Sequence, residues 1–222
     1  MKKIWLLILL SITSSYVFTQ KNADVGIFAG ASYYLGDLNT SNHFRPLNPA
    51  FGLVFRHNFN PRHALRWNLF YGQVSANNPD LDFLYWRDGG TRFKSTVMDM
   101  TAQFEFNFLP FKSATHEFQY STYISGGAGL CMSDKPSGFS YDVVVPFGLG
   151  MKFNLTKQIG ASISWEFRKT FYDDLDGVNN LNDPEHTFFL HNNDWYNFGG
   201  LTLVYKLSGG RQDCPVYRDY NR

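Results

Sequence analysis

Histidine and cysteine often act as bases, nucleophiles and metal ligands, and the chain contains six histidines and two cysteines. Five of the histidines lie between the regular segments described below or at their borders: His43, His63, His116, His186 and His191. No serine or cysteine stands near them at the spacing of a nucleophile motif. We therefore predict no catalytic residues, and a lipid-modifying hydrolase or acyltransferase is the less favoured alternative.

Carboxylates are concentrated in the segment YDDLDGVNNLNDPEH, residues 172–186. They are Asp173, Asp174, Asp176, Asp183 and Glu185, and carboxylate oxygens are the ligands that calcium prefers. Their spacing differs from the EF-hand loop, in which glycine occupies position 6. We interpret the segment as a solvated loop, with calcium binding as the alternative, and predict no metal site and no cofactor.

A pattern of period two organises the rest of the chain, most clearly in STVMDMTAQFEFNF, residues 95–108. One set of alternate positions is largely apolar: Thr96, Met98, Met100, Ala102, Phe104, Phe106 and Phe108. The other set is polar apart from Val97: Ser95, Asp99, Thr101, Gln103, Glu105 and Asn107. This alternation predicts a long β-strand whose two faces meet different surroundings.

Seven further segments repeat the alternation. We predict strands at 24–36, 48–58, 63–75, 95–108, 118–132, 143–154, 159–172 and 194–207. Strands of soluble sheets usually have about 5 or 6 residues, whereas a tilted strand crosses a membrane in about 9 to 11. The predicted strands are therefore long enough to span a membrane.

The connections between these strands alternate in length. Short ones at 59–62, 109–117 and 155–158 alternate with long ones at 37–47, 76–94, 133–142 and 173–193. Outer-membrane barrels have short periplasmic turns and long outer loops. Because the first long connection follows the first strand, we expect both chain ends on the periplasmic side.

The choice of the inward face decides between a soluble and a membrane barrel. A soluble lipocalin-like barrel would enclose the apolar rows, among them Trp67, Leu69 and Tyr71. Eight strands enclose little more than one layer of side chains, so these rows do not fit inside. Aromatic residues make up 18% of the chain, and a high aromatic content in an exported chain favours a membrane β-barrel. We therefore predict an all-β, eight-stranded antiparallel transmembrane β-barrel over residues 21–207, in the outer membrane.

In this arrangement the inward face carries seven charged residues: Arg56, Arg66, Asp99, Glu105, Lys152, Glu166 and Arg168. Buried charges are costly unless they are paired, so we predict a salt-bridged network that fills the lumen. The hairpin around residues 60–62 would place Arg56 opposite Arg66, with Glu105 on the neighbouring strand as their counter-ion. The alternative to a filled lumen is an ion-conducting pore. The same alternation predicts that His57 faces lipid.

The two ends of the chain have separate signals. Lys2 and Lys3, the apolar run at 4–10 and the polar residues that follow predict a secretory signal peptide at 1–20. The basic tail at 208–222, SGGRQDCPVYRDYNR, lies beyond the last strand and is either a disordered stub or a docking segment. The net charge of +1 gives no electrostatic case for nucleic-acid binding.

The two cysteines are predicted at opposite sides of the membrane. Cys131 lies near the outer end of the fifth strand, and Cys214 lies in the periplasmic tail. Their Cα atoms would be much farther apart than the limit of about 7 Å for a disulfide. We therefore predict no internal disulfide and expect Cys214 to be available for an intermolecular one.

Three segments resemble the PorG family, the small outer-membrane barrels of the type IX secretion system in Bacteroidota. They are GIFAGASYYLGDLN, NPAFGLVFRHNFNPRHALRWNLFYGQVSAN and DCPVYR. The resemblance implies a non-catalytic accessory that ties the periplasmic ring of the PorK lipoprotein and PorN to the outer membrane. On that basis the periplasmic turns and the tail form the partner surface, and the partner-binding residues of the tail are Cys214, Pro215, Val216, Tyr217 and Arg218. A stand-alone OmpX-like surface barrel, which binds ligands or cells through its outer loops, is the alternative.

Overall fold

The computed structural model describes residues 23–35, 46–77, 92–112, 118–135, 138–171 and 195–207. They form eight β-strands: β1 (Ala23–Leu35), β2 (Asn48–Asn58), β3 (His63–Asn77), β4 (Arg92–Asn107), β5 (Tyr120–Lys135), β6 (Gly138–Asn154), β7 (Ile159–Thr170) and β8 (Trp195–Lys206). All eight predicted strands are confirmed. The predicted signal peptide and C-terminal tail lie outside the described residues.

The strands form one closed sheet. Each strand pairs antiparallel with its neighbours in the chain, and β8 pairs with β1. The predicted eight-stranded antiparallel barrel is therefore confirmed. Closure gives every strand two partners and leaves no open sheet edge, the condition that a lipid environment imposes on a sheet. Within the described ranges, no helix has the length and hydropathy of a membrane-spanning one.

The connection predicted at 133–142 is wrong. β5 and β6 remain paired up to Lys135 and Gly138, so that only two residues separate them. Gly138 has a φ of 118°, a conformation that glycine adopts without strain at a tight hairpin turn. Apolar–polar alternation does not reveal this end of the hairpin, because its sequence SDKPSG is polar. Strand residues that lie beyond the lipid band need no apolar side chains on their outward face.

β4 shows how the two faces divide. Its inward residues are buried: Ser95, Val97, Asp99, Thr101, Gln103, Glu105 and Asn107. Its outward residues include the exposed Met98, Met100 and Phe104, and Trp67, Leu149 and Ile163 are exposed on other strands. The barrel is thus apolar outside and polar inside, as predicted, and this is the polarity of barrels that cross lipid.

Two outward positions with polar side-chain atoms, Tyr33 and Asn197, depart from this pattern because both side chains are buried. They lie side by side on β1 and β8. The Tyr33 hydroxyl accepts a hydrogen bond of 2.8 Å from the indole nitrogen of Trp165 on β7. This bond reaches across β8, where Trp165 is paired with Gly199. The amide of Asn197 has no hydrogen-bond partner in the described part of the chain.

Aromatic side chains share the interior with the charged ones. Phe28 and Phe70 stack with their ring centroids 4.4 Å apart, and Phe198 meets Phe70 edge-on at 5.3 Å. Gly72 makes room for this cluster, since a Cβ atom there would lie 2.7 Å from the Phe198 ring. These contacts pack the lumen with side chains.

Candidate functional site

The structure places all seven charged residues predicted for the lumen inside the barrel. They come from β2, β3, β4, β6 and β7, and none is more than 3% exposed. In the β2–β3 hairpin, Arg56 lies directly opposite Arg66, which confirms the predicted register.

Glu105 is the centre of the first group of charges. Its carboxylate contacts Arg56 Nε at 2.9 Å and Arg66 Nε at 3.2 Å, and it also accepts a hydrogen bond from Lys152 Nζ. The predicted pairing of Glu105 with two arginines is therefore present, with Lys152 as a third cation. Arg56 also lies 3.8 Å from Asp24, a carboxylate that the sequence analysis missed although its inward parity on β1 would have revealed it.

A second group of charges continues from Arg66. Its guanidinium donates a hydrogen bond of 2.7 Å to Glu166, whose other oxygen lies 2.8 Å from Arg168 Nη1. Arg168 Nε in turn lies 2.9 Å from Asp99, which also accepts a hydrogen bond of 3.2 Å from the Tyr196 hydroxyl. The two groups therefore form one continuous chain of alternating charges through the interior, which we call the lumen network.

The lumen network balances four cations against four anions. The cations are Arg56, Arg66, Lys152 and Arg168, and the anions are Asp24, Asp99, Glu105 and Glu166. Aromatic rings cover its ends, with Arg168 4.9 Å from the Phe198 centroid and Lys152 4.6 Å from the Tyr123 centroid. Such pairing and enclosure are typical of a packed structural core, in which each of these four carboxylates lies within 4.0 Å of a cation.

The barrel end that carries the β2–β3, β4–β5 and β6–β7 connections, here called the turn end, is held together by hydrogen bonds between these connections. Asn107 N donates to Arg62 O at 2.7 Å, and Phe111 N donates to Pro61 O at 2.9 Å. In return, the Arg62 side chain donates to Phe108 O at 2.7 Å. The β2–β3 and β4–β5 connections are therefore fastened to each other.

The remaining connections at the turn end are linked in the same way. Asn154 donates from its backbone to Gln119 O and from its side chain to Lys112 O, at 2.9 and 2.8 Å. Lys206 Nζ donates to the Asn154 side chain at 2.6 Å, and Lys206 N donates to Gln158 O at 2.8 Å. The turn end is thus a continuous frame that includes the last strand. Sequence spacing gave no signal for these contacts between separate turns.

Two histidines and one cysteine lie in the described ranges. His57 is half-buried and packs edge-on against Phe59 at 5.1 Å, and His63 Nδ1 lies 3.1 Å from the Asn60 side-chain oxygen. Cys131 is a buried free thiol. No group of three His, Cys, Asp or Glu residues in the described ranges is placed to hold a metal.

Several sequence-based expectations fall outside the described residues. These are the other four histidines, the acidic segment at 172–186 and the predicted partner-binding residues Cys214, Pro215, Val216, Tyr217 and Arg218.

Comparison with known proteins gives similar folds at low identity. Ail, the attachment invasion locus protein of Yersinia pestis, crystallised with the heparin analogue sucrose octasulfate, is 13% identical with a TM-score of 0.44; 83% of this chain and 97% of that chain are covered. Neisserial surface protein A is 11% identical with a TM-score of 0.49, over 82% and 96% of the two chains. The N-terminal barrel of Pseudomonas aeruginosa OprF is 14% identical with a TM-score of 0.43, again over 82% and 96%.

At the level of sequence, no curated protein matches the chain. The profile of the DUF6089 family, described as a domain of unknown function, matches residues 2–217, and the chain belongs to this family.

Proposed function

We propose that the protein is a non-catalytic outer-membrane barrel of the type IX protein secretion system, which anchors the periplasmic PorK/PorN ring to the outer membrane. The observation that carries the proposal is the inverted polarity of a closed barrel whose lumen is occupied by paired charges. A barrel of this kind is stable in lipid and offers no wide conduit for cargo, so its function belongs to its two ends.

The choice of partner rests on the resemblance to the PorG family at residues 26–39, 48–77 and 213–218. On this proposal the turn end faces the periplasm, as do both chain ends. β1 begins and β8 ends there, and Leu207 N donates to Ala23 O at 2.7 Å, so the last described residue lies at the turn end. The frame and the tail would then present one surface to the ring.

A deletion of residues 208–222 tests the proposal. Barrel assembly is checked by the gel-mobility shift between unheated and boiled samples, and a tail of scrambled sequence is the control for length. We expect assembled barrel, loss of secretion of a type IX cargo, and loss of PorK and PorN from material co-purified out of gently solubilised membranes. Normal secretion with a normally assembled truncated barrel would contradict the anchoring role.

A second candidate function is a stand-alone OmpX-like surface barrel that binds ligands or cells. It is favoured by the β5–β6 hairpin, which continues at the end opposite the turn end and exposes Phe139 and Tyr141. Exposed aromatic side chains of this kind are common in binding surfaces. Normal secretion together with loss of adhesion in a Phe139→Ser/Tyr141→Ser variant would favour this candidate.

A further inference from the structure

Three basic side chains stand at the turn end, one each in the β2–β3, β4–β5 and β6–β7 connections. Arg62, Lys112 and Lys157 are all exposed. In the described parts of these connections, 59–62, 108–112, 118–119 and 155–158, no acidic residue accompanies them. The exposed charge of this end is therefore positive where the structure describes it.

The frame fixes the backbone that carries these charges. The Lys112 carbonyl accepts from Asn154 at 2.8 Å, and its amide donates to the Gln119 side chain at 3.1 Å. The Lys157 turn is closed by Thr156, whose hydroxyl accepts from Ile159 N at 2.9 Å. Charges on a fixed backbone lose less conformational entropy on binding than charges on a free loop.

Apolar surface lies between two of the cations. Leu109 is 44% exposed, and Pro110 beside it is exposed too, in the stretch that joins the Arg62 contact at Phe108 to Lys112. An apolar centre with charged groups at its rim is the usual composition of a protein interface.

We propose that Arg62, Lys112 and Lys157, together with Leu109, form an electrostatic docking surface for an acidic face of the periplasmic ring. This inference rests on the proposed function and specifies its partner surface. The charges would steer the ring toward the turn end and set its orientation, while the apolar stretch supplies the contact area.

The test uses the full-length protein in its own outer membrane and measures co-purified PorK and PorN by mass spectrometry. The variant is Lys112→Glu/Lys157→Glu, because these side chains make no hydrogen bond within the described residues, whereas that of Arg62 does. Lys112→Arg/Lys157→Arg keeps the charge, and Lys94→Glu reverses an exposed charge at the opposite end. Gel mobility of unheated samples verifies assembly of each barrel.

We expect the double glutamate variant to retain at most about one fifth of the wild-type ring at about 0.1 M salt, where charges within about 10 Å still interact. The arginine variant and Lys94→Glu should retain wild-type amounts, and raised salt should weaken wild-type capture. Equal capture by the double glutamate variant would overturn this inference and leave the anchoring role intact. If wild-type protein captures no ring at all, both proposals fail. If the variant retains the ring but loses anionic phospholipid, the surface binds lipid and the inference is also wrong.

Discussion

Glu105 is the residue on which the lumen network depends most. Three cations converge on its carboxylate, Arg56, Arg66 and Lys152, and its side chain is fully buried. Removal of one member of a buried ion cluster leaves the charges of the other members uncompensated in surroundings of low polarity. Strand parity in the sequence predicted the pairing with the two arginines. It did not predict the contact with Lys152, because residue spacing does not show how far β6 is shifted along the barrel relative to β4.

We expect Glu105→Leu to lower the free energy of unfolding by about 3–5 kcal/mol, because the substitution leaves buried positive charges without their counter-ion. Urea titration of the barrel in detergent micelles measures the change. Met100→Leu is the matched control, since Met100 is on the same strand but faces outward. Equal urea midpoints for Glu105→Leu and the wild type would show that the network does not stabilise the fold.

Asn197 presents the opposite case, a buried amide for which the described residues offer no partner. We expect Asn197→Leu to leave stability unchanged or raise it by about 1–2 kcal/mol, because leucine keeps the branching of asparagine at Cγ and has no unmet hydrogen bonds. Asn68→Leu is the control, since Asn68 is also buried but donates a hydrogen bond of 3.2 Å to Thr101. It should be destabilising in the same urea titration. A clear loss of stability in Asn197→Leu would mean that the Asn197 amide makes a stabilising hydrogen bond in the wild type.

At the scale of elements, alternation located all eight strands because lipid and lumen demand opposite polarities on successive residues. It failed at residues 133–142, where the β5–β6 hairpin continues. It also gave no account of the turn end, where side chains such as Asn154 and Lys206 join connections that are distant in sequence. Such contacts depend on which turns are neighbours around the barrel, and only closure of the sheet determines this.

Two adjacent glycines on β5 allow a test of strand packing. A Cβ atom on Gly127 would press into the backbone of β4, 2.8 Å from Gln103 Cα, whereas one on Gly126 would meet nothing nearer than the Pro146 carbonyl oxygen at 4.0 Å. We therefore expect Gly127→Ala to destabilise the barrel by about 1–3 kcal/mol, since a backbone contact cannot relax by a change of rotamer. Gly126→Ala should be tolerated. Thermal unfolding monitored by the gel-mobility shift compares the two, and a larger loss for Gly126→Ala would refute the assigned faces.

At the scale of the whole molecule, the barrel separates three environments. Apolar side chains such as Met100 and Leu149 cover the wall, and the lumen network occupies the interior. Basic side chains stand on the framed turn end. A wall adapted to lipid and a packed interior leave the ends as the places where partners can bind, in agreement with the anchoring role proposed above.

Nitroxide scanning along β4 tests the inverted polarity of this barrel most directly. Single cysteines at Met98, Met100, Thr101, Gln103 and Phe104 are spin-labelled in a Cys131→Ser/Cys214→Ser background, in lipid vesicles, and collisions with oxygen and with a water-soluble nickel complex are measured. We predict high oxygen accessibility at Met98, Met100 and Phe104, and low accessibility to both reagents at Thr101 and Gln103. Oxygen-accessible labels at Thr101 and Gln103, with shielded labels at the apolar positions, would contradict the account.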